Sequence, residues 1–294
     1  MPAFYIYDVL QFTQHLRILC SNSKLLTMLA SGNILKMRSE LAEPVQYFLP
    51  LGETELPMNN LIGQSISLKF TGQINCISCG KRTKTSFGQG FCYNCLQTAP
   101  EASETIMRPE LSKAHLGIAR DMEWAREHDL IDHYVYLAVS GELKVGVTRH
   151  HQVPTRWIDQ GAGQAIVLAK TPNRHIAGVI EVYLKNFYSD KTNWRSMLQD
   201  KTTQDYNLPE EKEKANQLLP AELQQYYQAD NHIWRISYPS LGIPDKITSV
   251  SLDKTPLVSG TLNGIKGQYL LFADGQVLNI RKHSGYFVEV GKND

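Results

Sequence analysis

A chain of 294 residues with 42% hydrophobic and 20% charged side chains has material for about two domains and an ordinary globular composition. Thirty Lys and Arg against 29 Asp and Glu leave a formal charge of +1, which excludes a global field drawing the chain onto nucleic acid or an acidic membrane. No apolar run reaches the ~18 residues of a spanning helix, and MPAFYIYDVLQF, with Asp8 and no basic stretch, argues against a signal peptide. The expectation is a cytoplasmic chain with no membrane partner, in which any polyanion site is local.

Residues 1 to about 60 carry mixed signals. Phe12 to Met28 shows no single apolar period, and Cys20, among Leu16, Ile18 and Leu19, reads as a buried, inert thiol. Gly32 to Met37 reads as a turn into a strand, and Pro44, Pro50 and Pro57 punctuate a loop-rich stretch. From Ser65 to Phe70 polar and apolar residues alternate with period 2, the pattern of a half-buried strand. It leads through Gly72 and Ile74 into Cys76-Ile-Ser-Cys79-Gly80, and Cys92-Tyr-Asn-Cys95 follows after twelve intervening residues. Two Cys-x-x-Cys pairs so spaced are the ligand pattern of a tetrahedral zinc ion. Gly80 suits the turn after the second ligand, where positive φ is often needed. Two disulfides are the rival reading, and a reducing compartment favours the metal. Four thiolates leave no open coordination position, so zinc at Cys76, Cys79, Cys92 and Cys95 is a staple and chemistry belongs elsewhere. Lys81-Arg82-Thr83-Lys84, between the pairs, reads as a solvated hairpin tip, with a phosphate contact as the alternative.

Residues 100 to 132 link this region to the next, with a helix expected over Leu116 to His128. His115, His128 and His133 lack metal-ligand spacing and read as surface or capping residues. Tyr134 to Val139 and Leu143 to Thr148 read as two strands joined at Ser140-Gly141, a hairpin. Pro154 suits the first turn of a short helix ending at Gly161. Ala165 to Ala169 is a third strand, and His175 to Phe187 an amphipathic helix with Ile176, Val179, Ile180, Tyr183, Leu184 and Phe187 on one face. Residues 209 to 229 read as polar helix with a solvated face. After residue 230, Ile233 to Ile236, Gln268 to Phe272 and Gln276 to Ile280 read as strands, the last two joined by the Asp274-Gly275 turn.

The central segment holds the candidate chemistry. Tyr134 and Tyr136 are two apart on one strand and share a face. Lys144 lies on the paired strand, Arg156 on the short helix, and Glu181 at the flank of the amphipathic helix, about 110° from the centre of its apolar stripe. Lys144, Arg149, His150, His151 and Arg156 form a local basic cluster, offset by Glu142.

A Tyr-bearing strand, a Gly-Thr-bearing hairpin partner, an Arg on the next helix and a Glu on a later one resemble the GIY-YIG nuclease superfamily over about 65 residues. With the cysteine ribbon, RPE (108–110), VYLA (135–138), KVGVTR (144–149), PTRWIDQGA (154–162) and DKTNWR (190–195), nearly the whole chain resembles a bacterial family of unknown function. The superfamily resemblance implies a divalent ion, Mg²⁺ or Mn²⁺, held by Glu181, a phosphate clamp at Arg156, and a tyrosine hydroxyl, Tyr134 or Tyr136, that assists or orients the attacking water. Lys144 stands where the superfamily motif has its second tyrosine, as it does in some branches. Arg149, His151 and Arg195 are candidate nucleic-acid contacts. Asp190, Asn193 and Trp194 match the family pattern without an assigned role.

The expected fold is α+β: a small antiparallel sheet flanked by helices, with a zinc ribbon and a C-terminal antiparallel β unit. The expected divisions are a β-rich region over 1–100 with its ribbon at about 74–97, an α/β module over 101–229 with its core at about 133–200, and a small barrel or sandwich over 230–294, which could share a sheet with the first region. The expected function is metal-dependent phosphodiester hydrolysis on DNA or RNA. The alternatives are nucleic-acid binding without catalysis and a zinc-stapled protein-interaction scaffold.

Overall fold

The structure is a computed structural model that describes residues 26–189, 193–201 and 205–293. Cys20 and Asp190 lie outside them. The fold mixes α and β, with three sheets in which every strand pairing but one is antiparallel among the described residues.

β1 (Leu26–Asn33) precedes a three-stranded sheet of β2 (Arg38–Glu40), β3 (Gln46–Leu51) and β4 (Thr54–Pro57). The strand expected after Gly32 is instead the exit from β1, because pairing stops at Asn33 and Ile34 makes one bridge to Leu51. Ile34 and Met37 are both fully buried. Residues three apart face opposite sides of a strand, so burying both requires the chain to turn.

β5 (Ser65–Asn75) buries Ile66 and Leu68 and runs directly into Cys76. β6 (Arg82–Thr83) folds back on its end, pairing Asn75 with Arg82, and α1 (Tyr93–Thr98) starts at Cys92. A run of 3-10 turns follows. α2 (Met122–His128) is shorter than the helix expected from Leu116. Gly117, at φ +76°, ends the turn Ala114–Leu116, and the Asp121 side chain accepts from Trp124 N (3.0 Å) to start the helix afresh.

The central sheet begins with the hairpin of β7 (His133–Ser140) and β8 (Glu142–Arg149), turned at Gly141 with φ +80°. Next come α3 (Thr155–Asp159), β9 (Gln164–Thr171), which pairs with the other side of β7, and α4 (Arg174–Leu184), capped by Asn173. α5 (Trp194–Leu198), α6 (Leu208–Leu218) and α7 (Ala221–Gln224) lead to β10 (Ile233–Arg235). The sequence groups β10 with the C-terminal strands, whereas it pairs with β9, so the sheet order is β10-β9-β7-β8.

The large sheet takes β11 (Thr248–Val250), β12 (Leu257–Lys266), β13 (Tyr269–Phe272), β14 (Gln276–Asn279) and β15 (Tyr286–Asn293). Its order is β1-β15-β5-β12-β13-β14-β11, so β5 lies between two strands from the other end of the sequence.

Alternation along β7 gives the central sheet two covered faces. Val135 and Leu137 pack with Ala177, Ile180 and Leu184 of α4 and Leu208 and Ala215 of α6. Tyr136 and Ala138 join Trp157 and Ile158 of α3 and, through them, Leu262, Ile265 and Leu270 of the large sheet. Each such aliphatic burial contributes about 1.5–3 kcal/mol. The second interface seats the central sheet on the large one, and the candidate site lies beside it.

Candidate functional site

β8 is the edge strand of the central sheet, and a cleft of about 510 Å³ runs along it. β8 lines the cleft from Lys144 to Arg149. α3 contributes Arg156, Asp159 and Gln160, and α4 contributes Arg174, Glu181 and Lys185. Lys36, after β1, and Arg281, after β14, reach in from the flanking β regions.

Tyr136 crosses the sheet beneath this cleft. Its backbone partner on β8 is Gly146, and a Cβ on Gly146 would come 2.6 Å from the tyrosine hydroxyl. Only glycine leaves room for that ring, which accounts for the Gly of KVGVTR. The hydroxyl donates to Gln160 Oε1 (2.8 Å), and the ring meets Trp157 edge-on at 5.7 Å. Burial pushes the phenol above its ordinary pKa, while Arg156 and Gln160 pull it down and Glu181 pushes it up. The net direction is upward, so at neutral pH the hydroxyl keeps its proton.

The segment PTRWIDQGA divides its work residue by residue. Arg156 faces the cleft, and Trp157 and Ile158 are buried against the large sheet. Asp159 accepts from Lys36 Nζ (2.5 Å) and Gln268 Nε2 (2.9 Å), tying α3 to both β regions. Gln160 takes the Tyr136 hydroxyl, and its carbonyl accepts from Ser140 Oγ (2.6 Å). Gly161 turns at φ +67° where a Cβ would strike the Met197 sulfur at 2.3 Å.

Glu181 is held over the cleft by α4, its side chain 12% exposed, and pairs with Lys185 Nζ at 3.3 Å. Lys144 is buried on β8 beside a bridge to Ser189. The third wall is the 3-10 segment around the RPE motif. A Cβ on Gly178 of α4 would come 2.2 Å from Glu110 N, so the segment lies directly on the helix. Arg174 fastens it by donating to the carbonyls of Thr105 (2.8 Å) and Ile106 (2.9 Å), and His175 Nδ1 donates to the Glu110 carbonyl (2.8 Å).

The cleft is cationic, with seven Lys and Arg against three Asp and Glu in its lining, in a chain of net charge +1. Burial lowers the pKa of Arg149 to about 10 and lowers those of Arg174 and Arg281 as well. In all three the charge of Arg156 pushes the same way. Such a field attracts anions locally where the whole molecule does not.

The fold brings Tyr136, Lys144, Arg149, Arg156 and Glu181 to this one cleft and leaves other candidates outside its lining. Tyr134 sits near the exposed Lys170–Asp132 pair and acts on the Lys170 charge. His151 is exposed and meets His150 edge-on at 5.3 Å. Arg195 lies over Trp194 (4.3 Å), which in turn stacks on Tyr269 at 6.1 Å. Lys36, Gln160, Arg174, Lys185 and Arg281 were not anticipated. Lys185 had a signal, being one helical turn after Glu181. Lys36 and Arg281 had none, since only tertiary structure brings them near β8.

The four cysteines form a separate cluster. Their sulfurs all lie within 4.8 Å of one another, with Cys79 and Cys92 at 3.9 Å. A tetrahedron with metal–sulfur bonds of about 2.3 Å has edges of about 3.8 Å. The cluster therefore fits the group expected there and could hold a metal ion such as zinc. Gly80 takes φ +71° and donates to the Cys76 carbonyl (2.9 Å), and Cys95 N donates to Cys92 Sγ (3.4 Å). Burial works to raise the Cys76 thiol, but backbone N–H groups of Cys79, Cys92 and Ser78 outweigh it and bring the thiol down to about 6. A sulfur so surrounded favours the thiolate that binds metals.

No helix among the described residues is long and apolar enough to cross a membrane. A family model described as a protein of unknown function, DUF2797, matches residues 63–288, which takes in both the cysteine cluster and most of the cleft. No curated protein and no solved structure matches the chain.

Proposed function

The chain belongs to that family of unknown function, and we propose that its cleft binds the backbone of DNA or RNA and hydrolyses a phosphodiester bond with a divalent ion at Glu181. One observation carries the reading: Tyr136, Arg156 and Glu181 line a single cleft whose cations outnumber its acids. The arrangement resembles that of GIY-YIG nucleases. Arg156, facing the cleft with no carboxylate within ion-pair distance among the described residues, presents two forked donors to phosphate oxygens. The Tyr136 hydroxyl, protonated and fixed by Gln160, orients the attacking water rather than deprotonating it. Lys144 and Lys185 add positive charge beside the phosphate.

Glu181 fits a hard cation: it places one carboxylate at the cleft and leaves the other positions to water and phosphate oxygens, as Mg²⁺ prefers. When bound, that ion, Mg²⁺ or Mn²⁺, offsets charge on the phosphate and the leaving oxygen. We read the metal of the four-cysteine cluster as zinc, a closed structural site of the ribbon kind with no part in the reaction. Glu181→Gln is expected to lower Mg²⁺- or Mn²⁺-dependent cleavage of a labelled oligonucleotide by roughly 10³-fold, or ~4 kcal/mol in barrier, with circular dichroism unchanged. Equal cleavage by the variant removes Glu181 from the mechanism.

A second reading, nucleic-acid binding without turnover, is favoured by the Glu181–Lys185 pair, in which a cation already sits at 3.3 Å from the carboxylate. It is selected if wild-type protein binds oligonucleotides and cleaves none under either metal.

A further inference from the structure

We infer that Arg281, on the turn between β14 and β15, is a phosphate-backbone ligand set in the same cleft as Arg156, so that one strand of nucleic acid is held jointly by the central sheet and the large sheet. The inference rests on the nucleic-acid reading and extends it to a part of the chain about 100 residues beyond the α4 carboxylate.

The turn that carries Arg281 is pinned from several directions. His283 is fully buried; its Nδ1 donates to the Asn279 carbonyl (2.7 Å) and its Nε2 accepts from Leu252 N (3.1 Å). Asn279 Oδ1 accepts from Lys282 N (3.0 Å). Gly285 takes φ +87° at a point where a Cβ would lie 2.2 Å from the Asn75 carbonyl oxygen. Arg281 is thus presented on a rigid platform while its side chain lines the cleft, half-buried.

Its guanidinium has neither a hydrogen bond nor an ion pair among the described residues. Two other cleft arginines differ: Arg149 Nε donates to the His128 carbonyl (3.0 Å), and Arg174 is spent on Thr105 and Ile106, which leaves Arg156 and Arg281 facing the cleft. Asp159 is the acid whose charge supports Arg281, but it is already engaged by Lys36 and Gln268. Arg156 meanwhile repels it. A partly desolvated cation with a like charge nearby and no partner costs stability. A phosphate oxygen would answer both arginines, and a guanidinium fork matches it in geometry as well as charge.

The test uses full-length protein and fluorescence anisotropy with a labelled oligonucleotide, single-stranded and duplex, over a range of salt. Arg281→Ala is expected to weaken binding about 10-fold and to reduce the slope of log K against log salt by roughly 0.7–0.9, the loss of one phosphate contact. Its melting temperature without ligand is expected to equal or exceed that of the wild type, because an unpaired cation has gone. Arg281→Lys should keep the slope and bind at intermediate strength. Wild-type affinity and slope in Arg281→Ala overturn the inference and leave the proposed function standing. Weaker binding with a lowered melting temperature also overturns it, since that marks a structural residue. Wild-type binding that Arg281→Ala weakens as described, without cleavage under any metal, sustains the inference and overturns hydrolysis. No oligonucleotide binding by the wild type overturns both.

Discussion

The cysteine cluster and the β8 cleft solve opposite electrostatic problems. Around Cys76 the backbone supplies N–H groups from Cys79, Cys92 and Ser78, and the four sulfurs answer one another. Cys95 shows the same crowding from the other side: its interactions with Cys79, together with burial, push its thiol up. A single cation would take the place of the thiol protons and close the region on itself. In the cleft, by contrast, the charge of Arg156 helps to lower the pKa of Arg149, Arg174 and Arg281, and cations outnumber carboxylates. The first region could be completed by a metal ion; on the proposed function, the second is completed by a phosphate from outside. On the proposed function, the first is a support and the second the working site.

The separation is broken or sharpened most strongly at Cys92. Cys92→Ser removes a ligand from the four-sulfur set and the cap of α1. We expect loss of stoichiometric zinc by elemental analysis and local unfolding of residues 76–99, a cost of several kcal/mol. Oligonucleotide cleavage per folded molecule should persist within about 10-fold, an effect below ~1.4 kcal/mol. Complete loss of cleavage with the central sheet still folded would show that the two regions are one machine.

Acid sharpens the other half of the comparison. His133 is fully buried at the start of β7; its Nδ1 donates to the Ile131 carbonyl (2.8 Å), and its Nε2 has no partner. Burial, aided by Arg174 and Arg149 and opposed by Ile131, lowers its pKa to about 4. From pH 6.5 down to about 4 the unfolded chain takes up a proton that the folded chain refuses, so stability falls as pH falls. The contribution is fully present above pH 6.5, and the loss approaches about 3 kcal/mol at the bottom of the window. Urea unfolding at pH 7 and 4.5 measures it, with His133→Gln expected to flatten that component. Equal pH dependence in both proteins would contradict it.

Gly146→Ala is the smallest of the three. The new methyl would meet the Tyr136 hydroxyl, and we expect about 2 kcal/mol of destabilisation from overpacking, read by chemical denaturation. Cleavage should fall while zinc content stays whole. A neutral effect on both stability and cleavage would mean that the ring moves freely and that its seat over Gly146 is unimportant.

Local chemistry explains which parts of this arrangement could be read from the sequence. The β7–β8 hairpin and α3 declare themselves through alternation, Gly141 and Pro154, and they place Tyr136 and Arg156 on neighbouring elements. Glu181 is legible because helical geometry puts it at the flank of the α4 stripe. The helix expected from Leu116 fails at Gly117, whose left-handed φ was not visible in an imperfect apolar stripe. Tyr134 shares a strand face with Tyr136, but alternation does not say how far a cleft extends along that face. β10 reads as one more strand of the C-terminal group, because propensity identifies a strand and not its partner. Lys36 and Arg281 are the extreme case: Lys36 follows β1 and Arg281 precedes β15, strands from opposite ends of the sequence that pair in the large sheet.

Hydrogen exchange, followed by mass spectrometry with and without a bound oligonucleotide, separates the two regions in one experiment. Protection is expected in peptides covering β8, α3 and the Arg281 turn, with residues 76–95 unchanged. Protection confined to 76–95, with the cleft exchanging as in the free protein, would contradict the account.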